Sequence, residues 1–139
     1  KDTALLKNAG ARKVVWLQAH SEYLKTGIKA ALTYFNKNDS LLVEGNSFLH
    51  AHDADIGILV TTPREAKIKR STRQIVSKID LAVINKYTDD NPDDVIKTQE
   101  RLHQIGCHAQ VHIINLLQED YTPNEVFLNH MKEMIGQSV

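Results

Sequence analysis

Leu81-Ala82-Val83-Ile84-Asn85-Lys86 sets four consecutive apolar residues in front of two polar ones. A run this short, rich in β-branched and aliphatic side chains and ended by turn-forming residues, reads as a buried strand. The same pattern recurs on either side of it. Upstream, Ile56-Gly57-Ile58-Leu59-Val60 is a strand that ends at Thr61-Thr62-Pro63, and a polar, basic stretch from Arg64 to Arg73 leads into Gln74–Ile79, the end of a helix. Downstream, Asp89 to Pro92 form a loop and helix start. Val95, Ile96, Leu102 and Ile105 supply that helix's apolar face, and Gly106 ends it. Val111-His112-Ile113-Ile114 is the last strand and Pro123–Ile135 the last helix, with the proline in its first turn.

The first third of the chain follows the same rule. Asp2 to Ala9 reads as a short helix, capped by Asp2 or Thr3 and stopped by Gly10. Lys13-Val14-Val15-Trp16-Leu17 reads as a strand. Ser21 to Phe35 carries Tyr23, Leu24, Ile28, Ala31, Leu32 and Phe35 at helical spacing behind a serine cap. Ser40-Leu41-Leu42-Val43 is a further strand, ending at Glu44-Gly45-Asn46. Strands alternating with helices imply right-handed βαβ crossovers. The expected fold is therefore α/β: one domain over residues 1–139, with a mostly parallel sheet of about five strands and helices on both faces. In such sheets ligands collect beyond the carboxyl ends of the strands. Those ends are Glu44-Gly45-Asn46, Thr61-Thr62-Pro63, Asn85-Lys86 and Asn115.

With 17 basic and 17 acidic residues the formal charge is zero, so no whole-molecule attraction draws the chain to nucleic acid or an anionic membrane. One cysteine, Cys107, makes neither an intrachain disulfide nor a thiolate zinc site. The apolar runs are strand-sized, well under the ~20 residues that span a bilayer, and no signal segment opens the chain. The expected compartment is the cytoplasm. Lys1-Asp2-Thr3 already lies in a helical pattern and lacks an initiator Met, from which a further segment upstream is expected.

Glu44-Gly45 at the end of an apolar run suits Mg²⁺ and phosphate: the carboxylate can hold the ion's water shell, and glycine lets backbone approach phosphate. A carboxylate at a helix start fits the same residues. Asn85-Lys86 is similar to the Asn-Lys-x-Asp element with which GTP-binding proteins hold a base, where the amide and carboxylate bond the base edge and the lysine stem packs over the ring. Here Thr88 stands at the acidic position and the first acid is Asp89, one residue late; a surface loop carrying two acids is the alternative. His50-Ala51-His52-Asp53 has the His-x-His spacing of a metal pair on an extended segment, against a solvated loop. Cys107 beside His108 reads as a bystander, and Lys67, Lys69, Arg70 and Arg73 as a solvated face. None of the six glycines begins a Gly-x-x-x-x-Gly-Lys-Ser/Thr phosphate loop or a Gly-x-Gly-x-x-Gly fingerprint.

Two segments carry a family resemblance. Lys1 to Ala11, Lys-Asp-Thr-Ala-Leu-Leu-Lys-Asn-Ala-Gly-Ala, resembles the Lys-Asp-Ser…Ala-Gly-Ala stretch of the molybdopterin-guanine dinucleotide biosynthesis adapters (MobB-type P-loop proteins). Leu41-Leu42-Val43-Glu44-Gly45 resembles their Leu-Val-Glu-Gly strand end. Asn46-Ser47 stands where that family has Phe-Lys. The resemblance implies a P-loop fold whose phosphate loop precedes Lys1, binding of GTP or ATP with Mg²⁺, weak hydrolysis, homodimerisation and service to a cofactor-biosynthesis enzyme. It places Asp2 and Thr3 near the phosphates and Glu44-Gly45 on the Mg²⁺ side, with Asn46 next in the chain as a further cofactor-binding residue. Glu44 is then the catalytic residue on the Mg²⁺ side, holding the ion through water. General P-loop architecture places Asn85, Lys86 and Asp89 at the base. Two alternatives stand beside it: a non-catalytic scaffold domain that binds a protein partner, and a His50/His52 metal hydrolase.

Overall fold

Gly57 and Asp80 hold each other's backbone at the start of the sheet. In a computed structural model, which describes residues 2–65, 67–115 and 122–137, the Gly57 N–H donates to the Asp80 carboxylate at 2.7 Å. The Gly57 carbonyl accepts from the N–H groups of Asp80 (2.8 Å) and Leu81 (3.1 Å). No larger residue fits there, because a Cβ on Gly57 would lie 1.9 Å from the Lys78 carbonyl oxygen. This clamp sets the register of the strands that follow. β1 (Ile58–Thr61) pairs in parallel with β2 (Leu81–Asn85), Ile58 opposite Leu81, and β2 pairs in parallel with β3 (Gln110–Ile114), Leu81 opposite Gln110.

The sheet order is β1-β2-β3, so β2 is central and its four apolar residues are at most 2% exposed. Burying aliphatic side chains to this degree contributes about 1.5–3 kcal/mol each. Around them close Leu59, Ile75, Ile79, Val95, Leu102, Cys107 and Ile114. α4 (Arg70–Ile75), continued by a 3-10 turn at Val76–Lys78, connects β1 to β2; α5 (Pro92–Gln104) connects β2 to β3; α6 (Thr122–Gln137) follows β3. α5 starts as its sequence requires. The Asn91 side chain accepts the Asp93 N–H at 3.0 Å, Pro92 needs no partner there, and two acids occupy the first turn. It ends at Gly106, whose φ of 84° lets the Cys107 N–H reach back to the Leu102 carbonyl at 3.0 Å. Ile96, expected on the apolar face, is 53% exposed; Thr98 takes the buried place, its hydroxyl donating to the Asp94 carbonyl.

The chain divides into two compact units, Lys1–His52 and Asp53–Val139, and the sheet belongs to the second. The first holds α1 (Asp2–Asn8), a 3-10 turn at Ser21–Tyr23, α2 (Leu24–Leu32) and α3 (Asn46–Ala51). Within it Arg12 pairs with Asp39, the Lys13 ammonium donates to the Tyr34 carbonyl at 2.6 Å, and Leu17 and Ala19 pack against Gly27 of α2. The Asn36 N–H, and with it Arg12, holds the Asp39 carboxyl below its ordinary range. Ile28 is its only buried hydrophobic side chain among the described residues. Lys1 and the side chains of Asp2 and Pro123 lie outside the described residues.

Two expected strands do not form. Lys13–Leu17 and Ser40–Val43 join no ladder among the described residues, so the sheet has three strands and not five. An apolar, β-branched run becomes a strand only where another strand satisfies its N–H and C=O groups. The expected helix at Ser21–Phe35 is shorter, opening as a 3-10 turn with no side-chain cap and ending at Leu32. α3 forms where the sequence suggests a connection.

Gly57→Ala should destabilise the protein by about 1–3 kcal/mol, the cost of forcing extra volume into a closed site. Gly136→Ala, made in α6 where a new Cβ meets nothing within 4 Å, should be neutral or stabilise by about 0.5–1 kcal/mol. Urea unfolding curves of the two variants measure both, with a lowered midpoint at unchanged slope expected for the first.

Candidate functional site

At the carboxyl ends of β1, β2 and β3 the chain turns polar, and three connections meet. The loop leaving β2 is the best organised. Its Lys86 N–H donates to the Ile114 carbonyl at 2.9 Å, which extends the β2–β3 ladder by one bond. Beyond it, the Asp90 carboxylate accepts the Tyr87 N–H at 2.7 Å while the Asp90 N–H donates to the Tyr87 carbonyl at 3.1 Å. This reciprocal pair closes the turn at residues 87–90. From the end of β3, the side-chain amide of Asn115, itself 6% exposed, donates to the Thr88 hydroxyl at 3.3 Å.

Arg64, from the connection after β1, ties the third side. Its guanidinium donates to Asp90 at 2.6 Å and to Asp89 at 2.7 Å, and lies over the Tyr87 ring at 4.6 Å. The two acids are not equivalent: the Asp90 side chain is 5% exposed and that of Asp89 81%. The Tyr87 N–H, and after it Arg64, hold the Asp90 carboxyl below the usual carboxylate range. Asp90, and Asp89 with it, in turn raise the Arg64 guanidinium above its ordinary value. Arg101 of α5 donates to the Glu65 carbonyl at 2.6 Å, fastening the same connection from the helix side.

Asn85, Lys86 and Asp89 are thus brought together in one loop, with Lys86, Thr88 and Asp89 exposed and Asn85 half-buried. An asparagine amide offers both a donor and an acceptor, and a lysine stem offers an apolar flank; this is the chemistry that reads the edge and face of a planar heterocycle. Glu44, Gly45 and Asn46 lie together in the first unit. Glu44 is exposed, Gly45 precedes α3 at a φ of 127°, and Asn46 is the helix's first residue. The strand that was to carry Glu44 at its end does not form. Asp2 opens α1, and Thr3 is half-buried in it.

His50 and His52 do not share an extended segment: His50 lies in α3 and His52 ends it, its ring stacked on Phe48 at 5.3 Å. No group of three or more His, Cys, Asp or Glu able to hold a metal occurs among the described residues. No helix among them is long and apolar enough to cross a membrane. The basic side chains of Lys67, Lys69, Arg70 and Arg73 are exposed, as expected. The roles of Arg64, Tyr87 and Asp90 were not expected. The Tyr87-x-x-Asp90 spacing, an acid placed to accept the N–H three residues back, is the signal that carries the turn. No protein-family model, curated protein or solved structure matches the chain.

Because Asp90 is held as the anion in the folded protein, the stability it contributes is present above the ordinary aspartate value of about 3.9 and disappears as the pH falls through its lower, folded value. Asp90→Asn should speed amide exchange at Tyr87 at neutral pH and flatten the acid limb of the stability profile. Hydrogen exchange at Tyr87 and thermal melts followed from neutral to acid pH check this.

Proposed function

We propose that the loop after β2 is the base end of a nucleotide site, and that the protein is a GTP- or ATP-binding protein with weak NTPase activity. One observation carries this reading: Asn85 ends the central strand of a parallel sheet and Lys86 and Asp89 follow it, in a loop held by residues that follow both neighbouring strands. Crevices at this end of parallel sheets are where such folds bind nucleotides. Asn85 and Asp89 would bond the base edge, with Lys86 flanking its ring. In the first unit, taken by itself, the resemblance to the molybdopterin-guanine dinucleotide adapters gives Asp2 and Thr3 a role near phosphate and Glu44-Gly45, followed by Asn46, a role at Mg²⁺, the carboxylate holding the ion through water. The partner is then a cofactor-biosynthesis enzyme, and the protein a homodimer.

Phosphoryl transfer rests on positioning and charge stabilisation of the triphosphate. These 139 residues contain no Gly-x-x-x-x-Gly-Lys-Ser/Thr, so in this proposal they supply the base end and no phosphate loop.

A second reading has its own observation. Trp16, Leu42 and Tyr34 are 76%, 84% and 62% exposed, large apolar side chains of the kind that partner surfaces use. Such a surface suits a non-catalytic scaffold that docks another protein.

Two-dimensional NMR of the chain titrated with Mg²⁺-GTP and Mg²⁺-ATP separates the two. Nucleotide binding predicts shifts at Asn85, Lys86, Thr88 and Asn115, with an affinity on the order of 1 mM, about −4 kcal/mol, for a base end without its phosphate cradle. Asn85→Ala should weaken it roughly tenfold, about 1.4 kcal/mol. Unmoved signals with both nucleotides at saturating concentration would leave the scaffold reading.

A further inference from the structure

His112 and His130 face each other across the contact between β3 and α6. Period-two alternation along β3 turns His112 inward with Ile114, and His112 is 7% exposed. Its Nε2 lies 3.0 Å from Nδ1 of His130, the ring centroids are 5.2 Å apart, and the edge of Phe127 closes on His112 at 5.6 Å. Across β2, His112 is paired with Val83, and the strand from Leu81 to Ile84 is wholly apolar. α6 also carries Glu125, Lys132 and Glu133, all of them exposed. His130 is therefore the titratable group that meets His112 among the described residues, and no carboxylate there is recorded against either ring.

The chemistry of two imidazoles at this distance is restrictive. One nitrogen must donate and the other accept. With both rings neutral, or with one proton added to the pair, that requirement is met. With both rings protonated, two N–H groups and two positive charges point at each other in a site walled by Phe127 and β2. The two facing N–H groups then have no acceptor in each other, and the charges push the rings apart.

We propose that this pair is a proton-operated latch: α6 stays on β3 while the two rings share at most one added proton, and is released when both are charged. The direction follows from burial. Loss of solvent, and secondarily the neighbouring His130, push His112 below the usual histidine range. An unfolded or released His112 thus binds a proton more readily than the packed one. The attachment is fully present above about pH 6.5, the ordinary histidine value, and is lost as the pH falls below it toward the depressed value of His112.

Hydrogen-exchange protection of α6, measured alongside imidazole NMR titration of the whole chain from about pH 7.5 to about pH 4.5, tests this. Protection in α6 should fall at least about tenfold on acidification while β2 stays protected, and the His112 ring should take up its proton below the usual histidine range. His130→Gln, whose amide can donate to or accept from His112 without charge, should hold α6 at the lower pH. His112→Phe does the same by removing the buried titrating group. Protection of α6 unchanged across the His112 titration, or an undiminished acid release in both variants, would overturn the latch. Should either variant fold poorly, the pH dependence of α6 exchange in the native chain, set against that of β2, remains decisive.

Discussion

Everything in the second unit depends on the close approach of two backbones at Gly57 and Asp80. Two hydrogen bonds of 2.7 and 2.8 Å join them and a third, of 3.1 Å, joins Gly57 to Leu81, and the space between Gly57 and the Lys78 carbonyl admits a hydrogen but no methyl. Parallel strands have no hairpin to fix their register; it must come from side-chain pattern and from contacts at the strand ends. Here the clamp places Ile58 beside Leu81, and the remaining pairs follow by simple count. A slip by one residue would turn the buried Leu59 and Thr61 outward and bring exposed Val60 in.

The opposite end of the same strands shows what a fixed register makes possible. Thr61, Asn85 and Ile114 finish the three strands, so the polar residues just beyond them emerge close together. Arg64 reaches Asp89, Asp90 and Tyr87 from one side, and Asn115 reaches Thr88 from the other. An ion pair as exposed as Arg64–Asp89 contributes little to stability by itself. The effect of these contacts is geometric: they hold a short loop in one conformation and leave Lys86 and Asp89 to solvent. A preorganised loop loses less conformational freedom when a ligand arrives.

Much of the second unit is legible in the sequence. β2 and β3 fall where their apolar runs predict, as does α5 between its Asn91 cap and Gly106. The strand expected at Ile56–Val60 forms at Ile58–Thr61, displaced because Gly57 belongs to the clamp. The first unit is less legible. Val14, Val15 and Leu41 to Val43 have the composition of strands, yet strand formation is a property of a pair and neither run meets a partner. α3 was hidden for the opposite reason: Asn46 to Ala51 is too short for a helical period to show, and Gly45 as its first boundary reads equally as a loop. Of the candidate site, Asn85, Lys86 and Asp89 were visible as a strand end. Arg64 was not, since nothing in a linear pattern tells which of several arginines will lie over a tyrosine.

By itself the sequence determines an α/β chain with neutral net charge, a fully apolar central strand, helix ends at Gly10 and Gly106, a helix start between Asp89 and Pro92, and a polar set at each strand end. These depend on neighbours a few residues apart, where capping, turn chemistry and periodicity operate. Tertiary structure alone decides that three apolar runs pair while two do not, that Asp90 is held and Asp89 left exposed, and that His112 meets His130. Each of these joins residues far apart in the chain or turns on such a contact. Pairing of that kind is selected by the energy of the folded whole and is written in no local stretch of sequence.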